Sequence, residues 1–111
     1  VEGKREEHAY WAGRVERYRD TNPYYHAWLG DQAGEEGDWR TALDHYRDAL
    51  SLAPEDSSLL FSVGLIYEQL GQHRAALRYI GEARDQATLV SERRQYQTEY
   101  ERIEQAQVAG Y

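Results

Sequence analysis

The chain has 111 residues, of which 41% are hydrophobic and 30% are charged, a composition typical of a soluble globular domain and not of a disordered segment. It contains no Cys, which excludes disulfides, thiolate metal sites and cysteine nucleophiles. The net charge of -7 disfavours nucleic acid as a partner, because affinity for phosphate backbones comes from Lys and Arg, and no apolar run has the length of a membrane-spanning helix.

Apolar residues recur at helical spacing along the chain, and helix start and stop signals divide them into six segments. Asn22 followed by Pro23 is a typical start, because Asn caps the free N–H groups and Pro has no N–H to satisfy. Gly37 suits a left-handed turn, after which Asp38 can cap the next helix. Pro54 breaks the chain again. The segments expected to be helical are residues 1–21, 23–36, 39–52, 57–70, 73–86 and about 89–107.

One pattern occurs twice, at an offset of 34 residues. Small residues such as Gly30 and Ala42 return as Gly64 and Ala76, and small residues allow two helices to approach closely. We therefore expect each copy to be an antiparallel helix pair, with the glycine where the first helix crosses its partner. The complete first set is Leu29-Gly30, Gly37, Arg40, Ala42-Leu43 and Ala49, which returns as Val63-Gly64, Gly71, Arg74, Ala76-Leu77 and Ala83.

The repeat stops after residue 88, since Thr98 and Glu101 stand where Gly64 and Tyr67 would recur. An apolar stripe at helical spacing nevertheless continues, which predicts a C-terminal helix that caps the array and has a solvated outer face. The stripe consists of Tyr96, Tyr100 and Ile103. The predicted organisation is one domain, with an N-terminal flanking helix (1–21), repeat 1 (23–56), repeat 2 (57–88) and the capping helix (89–111).

The doubled pattern resembles that of the tetratricopeptide repeat (TPR) family. The resemblance implies an all-α fold in which antiparallel helix pairs stack as a right-handed superhelix, here of about six helices. There are departures at His26, Ala33 and Thr88, and we expect Tyr25 and Trp28 to supply the volume lost in repeat 1. The matching residues are Leu29-Gly30, Gly37, Ala42, Tyr46, Ala49 and Pro54, followed by Leu60, Val63-Gly64, Tyr67, Gly71, Ala76, Ile80 and Ala83.

What the resemblance implies about function is binding of a protein or peptide segment, because in that family the first helix of each pair lines a concave groove. The side chains at these positions are apolar or acidic, which with the net charge favours a neutral to basic partner. They lack the Lys, Arg and Asn of the family's carboxylate clamp, so acidic C-terminal tails are not expected ligands. The groove positions are Tyr24, Ala27, Asp31 and Glu35 in repeat 1, and Ser58, Phe61, Leu65 and Glu68 in repeat 2. The sequence leaves open whether Phe61 and Leu65 face a ligand or lie under a terminal helix.

Catalytic and metal-binding patterns are scarce. No His has a second His three or four residues away, so a helical metal site has no support, and carboxylate neighbours such as Glu35-Glu36 are expected to be solvated. We therefore predict a non-catalytic interaction scaffold that needs no cofactor or metal and forms part of a larger protein. The alternative is a structural or oligomerisation module that packs against a neighbouring domain or a second copy. The isolated histidines are His8, His26, His45 and His73.

Overall fold

The computed structural model describes residue 14 and residues 17–109. All regular structure in this part of the chain is helical, and neighbouring helices pack in pairs. Residues 17–21 are helical, whereas most of the predicted flanking helix lies outside the described residues. The longer helices are α1 (Pro23–Glu35), α2 (Trp39–Leu52), α3 (Ser57–Gln69), α4 (His73–Gln86) and α5 (Val90–Ala109). The prediction of an all-helical fold is confirmed, and the predicted bounds of α1 to α4 are correct to within one residue.

Side-chain caps determine where three of the helices begin. The side chain of Asn22 accepts a hydrogen bond from a backbone N–H in the first turn of α1, and Asp38 and Asp56 do the same for α2 and α3. Each bond satisfies an N–H group that has no partner within its helix. Gln72 precedes α4 without such a bond. Both repeat units therefore start from a capped first helix, and only the first unit has a capped second helix.

A glycine follows the first helix of each unit and ends it. Gly37 has a φ of 78° and Gly71 a φ of 76°, in the left-handed region that residues with a Cβ avoid. Each turn lets the chain reverse so that α2 packs on α1 and α4 packs on α3. The left-handed turn predicted at Gly37 is present, and it recurs one repeat later.

Two other glycines lie where helices cross closely. A Cβ on Gly64 would lie 2.5 Å from Cγ1 of Ile80 and 3.1 Å from the carbonyl oxygen of Ala76. A Cβ on Gly30 would collide with the ring of Tyr46 and lie 3.2 Å from the carbonyl oxygen of Ala42. No side chain fits at either position without a shift of the neighbouring helix, so the predicted role of both glycines is confirmed.

The core consists of two clusters of buried side chains. The first lies between α1, α2 and α3, and the second lies between α3, α4 and α5. Leu50, Tyr67 and Tyr79 pack against both clusters, and the two tyrosine rings stack with centroids 5.4 Å apart. The clusters thus form one continuous core. Its largest fully buried side chains are Ile80, Ile103 and Val63.

The helices pack in chain order. Helix α1 packs on α2, α2 on α3, α3 on α4 and α4 on α5. No polar or charged residue in the described ranges is buried, so the buried parts of the interfaces consist of apolar contacts. None of these helices combines the length and the apolar character needed to cross a membrane.

One expectation about packing is wrong. Trp28 does not fill volume between helices, since its side chain is 52% exposed and stacks on Tyr25 with ring centroids 6.0 Å apart. The reason is that Ala33 is itself buried in the first cluster, so α1 and α2 approach each other instead of leaving a gap. His26 turns away from the helix pair, and its Nε2 lies 2.9 Å from the carbonyl oxygen of Asp20.

Candidate binding cleft

A cleft of about 600 Å³ lies along α1, α2 and α3. Its apolar surface comes from Trp39 and Tyr46 of α2 and from Leu65 and Ile66 of α3. The close crossing at Gly30 brings α2 near enough to α1 for these side chains to share one surface. The charged side chains of the cleft are the carboxylates of Asp31, Glu35 and Glu68 and the guanidinium of Arg102 on α5. The cleft is therefore an apolar surface bordered mainly by acidic groups.

Four of the eight predicted groove residues line this cleft. Asp31 and Glu35 reach it from α1, and Leu65 and Glu68 reach it from α3. These residues occupy the second half of each first helix, and the packing of α2 between the helices brings them together. The structure thus gathers the C-terminal part of the predicted set into one place.

The other four predicted residues lie in different surroundings. Ala27 is buried in the first core cluster, so it has no surface for a ligand. The hydroxyls of Tyr24 and Ser58 each donate a hydrogen bond of 2.7 Å to Asp56, the cap of α3. Burial alone would raise the pKa of Asp56, but the bonds from Ser58 and Tyr24 outweigh it and leave this pKa lowered. Tyr24 and Ser58 therefore support the start of α3, and Phe61 is held by α5.

The contacts of α5 answer the question about Phe61 and Leu65. The ring of Phe61 stacks on that of Tyr96 in α5, with centroids 4.5 Å apart. Leu65 is half-buried, packs against the same core cluster and also lines the cleft. Helix α5 thus covers Phe61, whereas Leu65 keeps a side exposed to the cleft.

A polar pair joins α1 and α2 beside the cleft. The hydroxyl of Tyr46 donates a hydrogen bond to the carboxylate of Asp31. Burial, followed by this bond, raises the pKa of Tyr46 to about 12, so the folded protein keeps this donor at a pH at which an ordinary tyrosine is ionised. One repeat later the same two places hold Leu65 and Ile80. The polar pair of Asp31 and Tyr46 in the first unit is therefore replaced by two apolar side chains at the equivalent positions of the second unit.

We expect the stability of the protein to fall between about pH 10 and pH 12 in a way that depends on Tyr46. An unfolded tyrosine has a pKa of about 10, so above that pH the unfolded chain releases a proton that the folded chain keeps until about pH 12. The contribution is complete below pH 10 and is lost as the pH rises through 12. In urea unfolding across this range, the free energy of unfolding should decline less steeply with pH for Tyr46→Phe than for the wild type. Equal slopes would contradict a raised pKa of Tyr46 in the folded protein.

An ion pair closes one end of the cleft. Nη1 and Nη2 of Arg102 donate to both carboxylate oxygens of Glu68, at 2.9 and 2.8 Å, and its Nε donates to Glu99 at 2.7 Å. These bonds raise the pKa of Arg102 further above its ordinary value. Such a two-point contact between guanidinium and carboxylate fixes orientation as well as charge. Glu68 is thus occupied by a side chain of the protein itself.

The sequence analysis missed the contributions of Trp39, Tyr46, Ile66 and Arg102 to the cleft. For Arg102 a signal existed, because it lies 34 residues after Glu68, the repeat offset. Helix α5 therefore holds the place that α1 and α3 hold in the two units, although its apolar pattern differs. Extending the register past residue 88 would have placed Arg102 beside the groove.

Residue 14 and residues 17–109 contain no group of three or more His, Cys, Asp or Glu side chains arranged to hold a metal ion. A scan against protein-family models and a search of curated protein sequences each found no match to this chain.

Proposed function

We propose that the chain is a TPR-like, non-catalytic module that binds a neutral to basic protein segment in the cleft. The observation that carries the proposal is the convergence of Asp31, Glu35, Leu65 and Glu68 on one cleft with an apolar surface and a volume of about 600 Å³, which lies within the usual range for ligand pockets. The doubled helix pair, with the same glycine crossing in each copy, supports stacking as a right-handed superhelix whose concave side contains the cleft.

The three carboxylates of the cleft differ in how free they are. Asp31 accepts the hydroxyl of Tyr46, and Glu68 is paired with Arg102. Glu35 is exposed, and its carboxylate makes no hydrogen bond or ion pair with another residue in the described ranges. A basic side chain of the partner would therefore pair with Glu35, away from the charge of Arg102, and an apolar side chain beside it would pack on Trp39 and Leu65.

The cleft is expected to bind without rearrangement. Its walls are α1, α2 and α3, whose separation is set by the contact of Gly30 with Tyr46 and by the buried side chains behind them. A rigid groove loses little conformational entropy on binding. The mechanism is thus display of fixed charges and apolar surface to an extended chain.

A panel of ten-residue peptides that differ in net charge tests this function. We expect the basic members with apolar neighbours to bind best, and Glu35→Gln to weaken their affinity several-fold because it removes the free carboxylate. Glu36→Gln is the matched control, since Glu36 is exposed, carries the same charge and does not line the cleft. Isothermal titration calorimetry gives both affinities. Equal losses in the two variants, or equal binding of acidic and basic peptides, would refute the proposal.

A second candidate function is a structural or oligomerisation role. It is favoured by large aromatic side chains that remain exposed towards the N-terminal end: Tyr18 is 67%, Tyr24 60% and Trp28 52% exposed. Exposed aromatic groups of this kind are common at protein interfaces. Light scattering over a range of concentrations tests it, with Trp28→Ala as the variant. A concentration-dependent dimer that Trp28→Ala abolishes would favour this role, and a monomer throughout would exclude self-association.

A further inference from the structure

A second pocket, of about 470 Å³, lies where the last turns of α4 meet the first half of α5. Three arginines line it, Arg84, Arg93 and Arg94, and no carboxylate does. In a chain with 20 acidic and 13 basic side chains, a lining with this charge is unusual. The pocket is separate from the acidic cleft and shares no lining residue with it.

The three guanidinium groups are only partly satisfied by the protein. Arg84 donates from Nε to Asp85 at 3.1 Å and from Nη1 to Gln97 at 2.8 Å. Arg93 donates from Nη2 to the carbonyl oxygen of Ala87 at 3.0 Å, which supplies no full negative charge. The side chain of Arg94 makes no hydrogen bond or ion pair with any residue in the described ranges. Two of the three positive charges therefore lack a counter-ion among residue 14 and residues 17–109.

The position of the pocket in the repeat explains why it is open. Gln97 and Thr98 stand 34 residues after Val63 and Gly64, the places on α3 against which α4 packs. On α5 these places hold polar side chains, and Thr98 is exposed. The face that binds a helix in the second unit is thus polar here and lies beside the arginines.

We propose that this pocket binds a phosphate group. Guanidinium groups present several N–H donors in a plane and form two-point contacts with phosphate oxygens. A phosphate also carries close to two negative charges at neutral pH, which matches the two unpaired arginines. Bringing like charges together is unfavourable, and a doubly charged oxyanion removes that repulsion. The phosphate could be free in solution or carried by a phosphorylated side chain of a partner.

Two probes applied to the whole chain test the site and distinguish these sources. The first is inorganic phosphate, with sodium chloride at equal ionic strength as the reference, and the second is a short phosphoserine peptide with its unphosphorylated counterpart. We expect at least one of them to bind and to raise the melting temperature by several degrees when in excess of its Kd. Tighter binding of the peptide would assign the site to a phosphorylated partner, and equal or tighter binding of inorganic phosphate would assign it to the free ion.

Variants show whether the arginines are responsible. Arg94→Gln should weaken the affinity about tenfold, as expected for the loss of a charged hydrogen-bond donor. It should leave the fold intact because the Arg94 side chain is exposed and bonds to none of the described residues. Arg74→Gln is the control, since Arg74 is exposed and lies outside the pocket; it also accounts for the general stabilisation that phosphate gives to proteins. The proposal is overturned if neither probe binds, or if Arg94→Gln and Arg74→Gln respond alike.

Discussion

Replacing Ile103 by Ala is expected to lower the free energy of unfolding by about 2–5 kcal/mol, the range for large-to-small changes in a packed core. Ile103 is 0% exposed, on a helix whose outer face is solvated. It belongs to the cluster that includes Ile80 and Tyr96, so its loss leaves a cavity between α4 and α5. Chemical denaturation with two spectroscopic probes measures the change.

The control for Ile103 is Gln105→Ala on the same helix. Gln105 is exposed, and Ala has the higher helix propensity, so this change should alter stability by less than about 0.5 kcal/mol. Removing residues 89–111 altogether should have a larger effect, because it uncovers Phe61 and Ile80 at once. We expect the truncated chain to lose its cooperative transition. A melting temperature equal to that of the full chain would show that α5 does not cap the array.

Gly64→Ala is the second change with a large expected effect. The new methyl group would meet Cγ1 of Ile80 at 2.5 Å and the backbone oxygen of Ala76 at 3.1 Å, and overpacking of this kind costs about 1–3 kcal/mol. The better helix propensity of Ala returns about 1 kcal/mol. The clash at least cancels the gain, and we expect a net loss of up to about 2 kcal/mol in urea unfolding.

Gly81→Ala is the matched control, because the same substitution meets no clash there. Its methyl group would lie 3.5 Å from Cε2 of Tyr100, an ordinary contact distance. Only the higher helix propensity of Ala then affects stability, so Gly81→Ala should stabilise the protein by up to about 1 kcal/mol. If the two Gly→Ala changes alter the free energy of unfolding in opposite directions, the difference measures the contribution of the close helix crossing at Gly64. A stabilising Gly64→Ala would show that the crossing has room for a methyl group.

A double-mutant cycle tests the contact itself. Ile80→Ala alone removes a fully buried side chain and is expected to cost about 2–5 kcal/mol. Combined with Gly64→Ala, it also removes the atom against which the new methyl group clashes. We expect the double variant to lose about 1 kcal/mol less stability than the sum of the two single losses. Additive losses would place the strain at the backbone of Ala76 instead.

The features that followed from the sequence are local or periodic. The caps at Asn22 and Asp38 depend on residues within one turn, and the crossings at Gly30 and Gly64 are marked by their recurrence at a fixed offset. Both kinds of signal are independent of how distant helices meet. For this reason the helix bounds and the two crossings were predictable.

The features that did not follow depend on contacts between distant elements. The stack of Phe61 on Tyr96 and the pair between Glu68 and Arg102 require the position of α5, whose apolar pattern no longer follows the repeat. The exposure of Trp28 depends on how closely α2 approaches α1, which the small size of Ala33 decides. Contacts of this kind also explain why Phe61, which stacks on Tyr96, and Tyr24, which donates to Asp56, lie outside the shared cleft.

The packing of helices in chain order has a consequence for how the protein folds. Each helix contacts mainly the one before it and the one after it, so few contacts require the closure of a long loop. Chains with such low contact order fold in microseconds to milliseconds, and a helix pair can form before the rest of the array exists. We expect folding to start within one helix pair and to spread from there to the neighbouring helices.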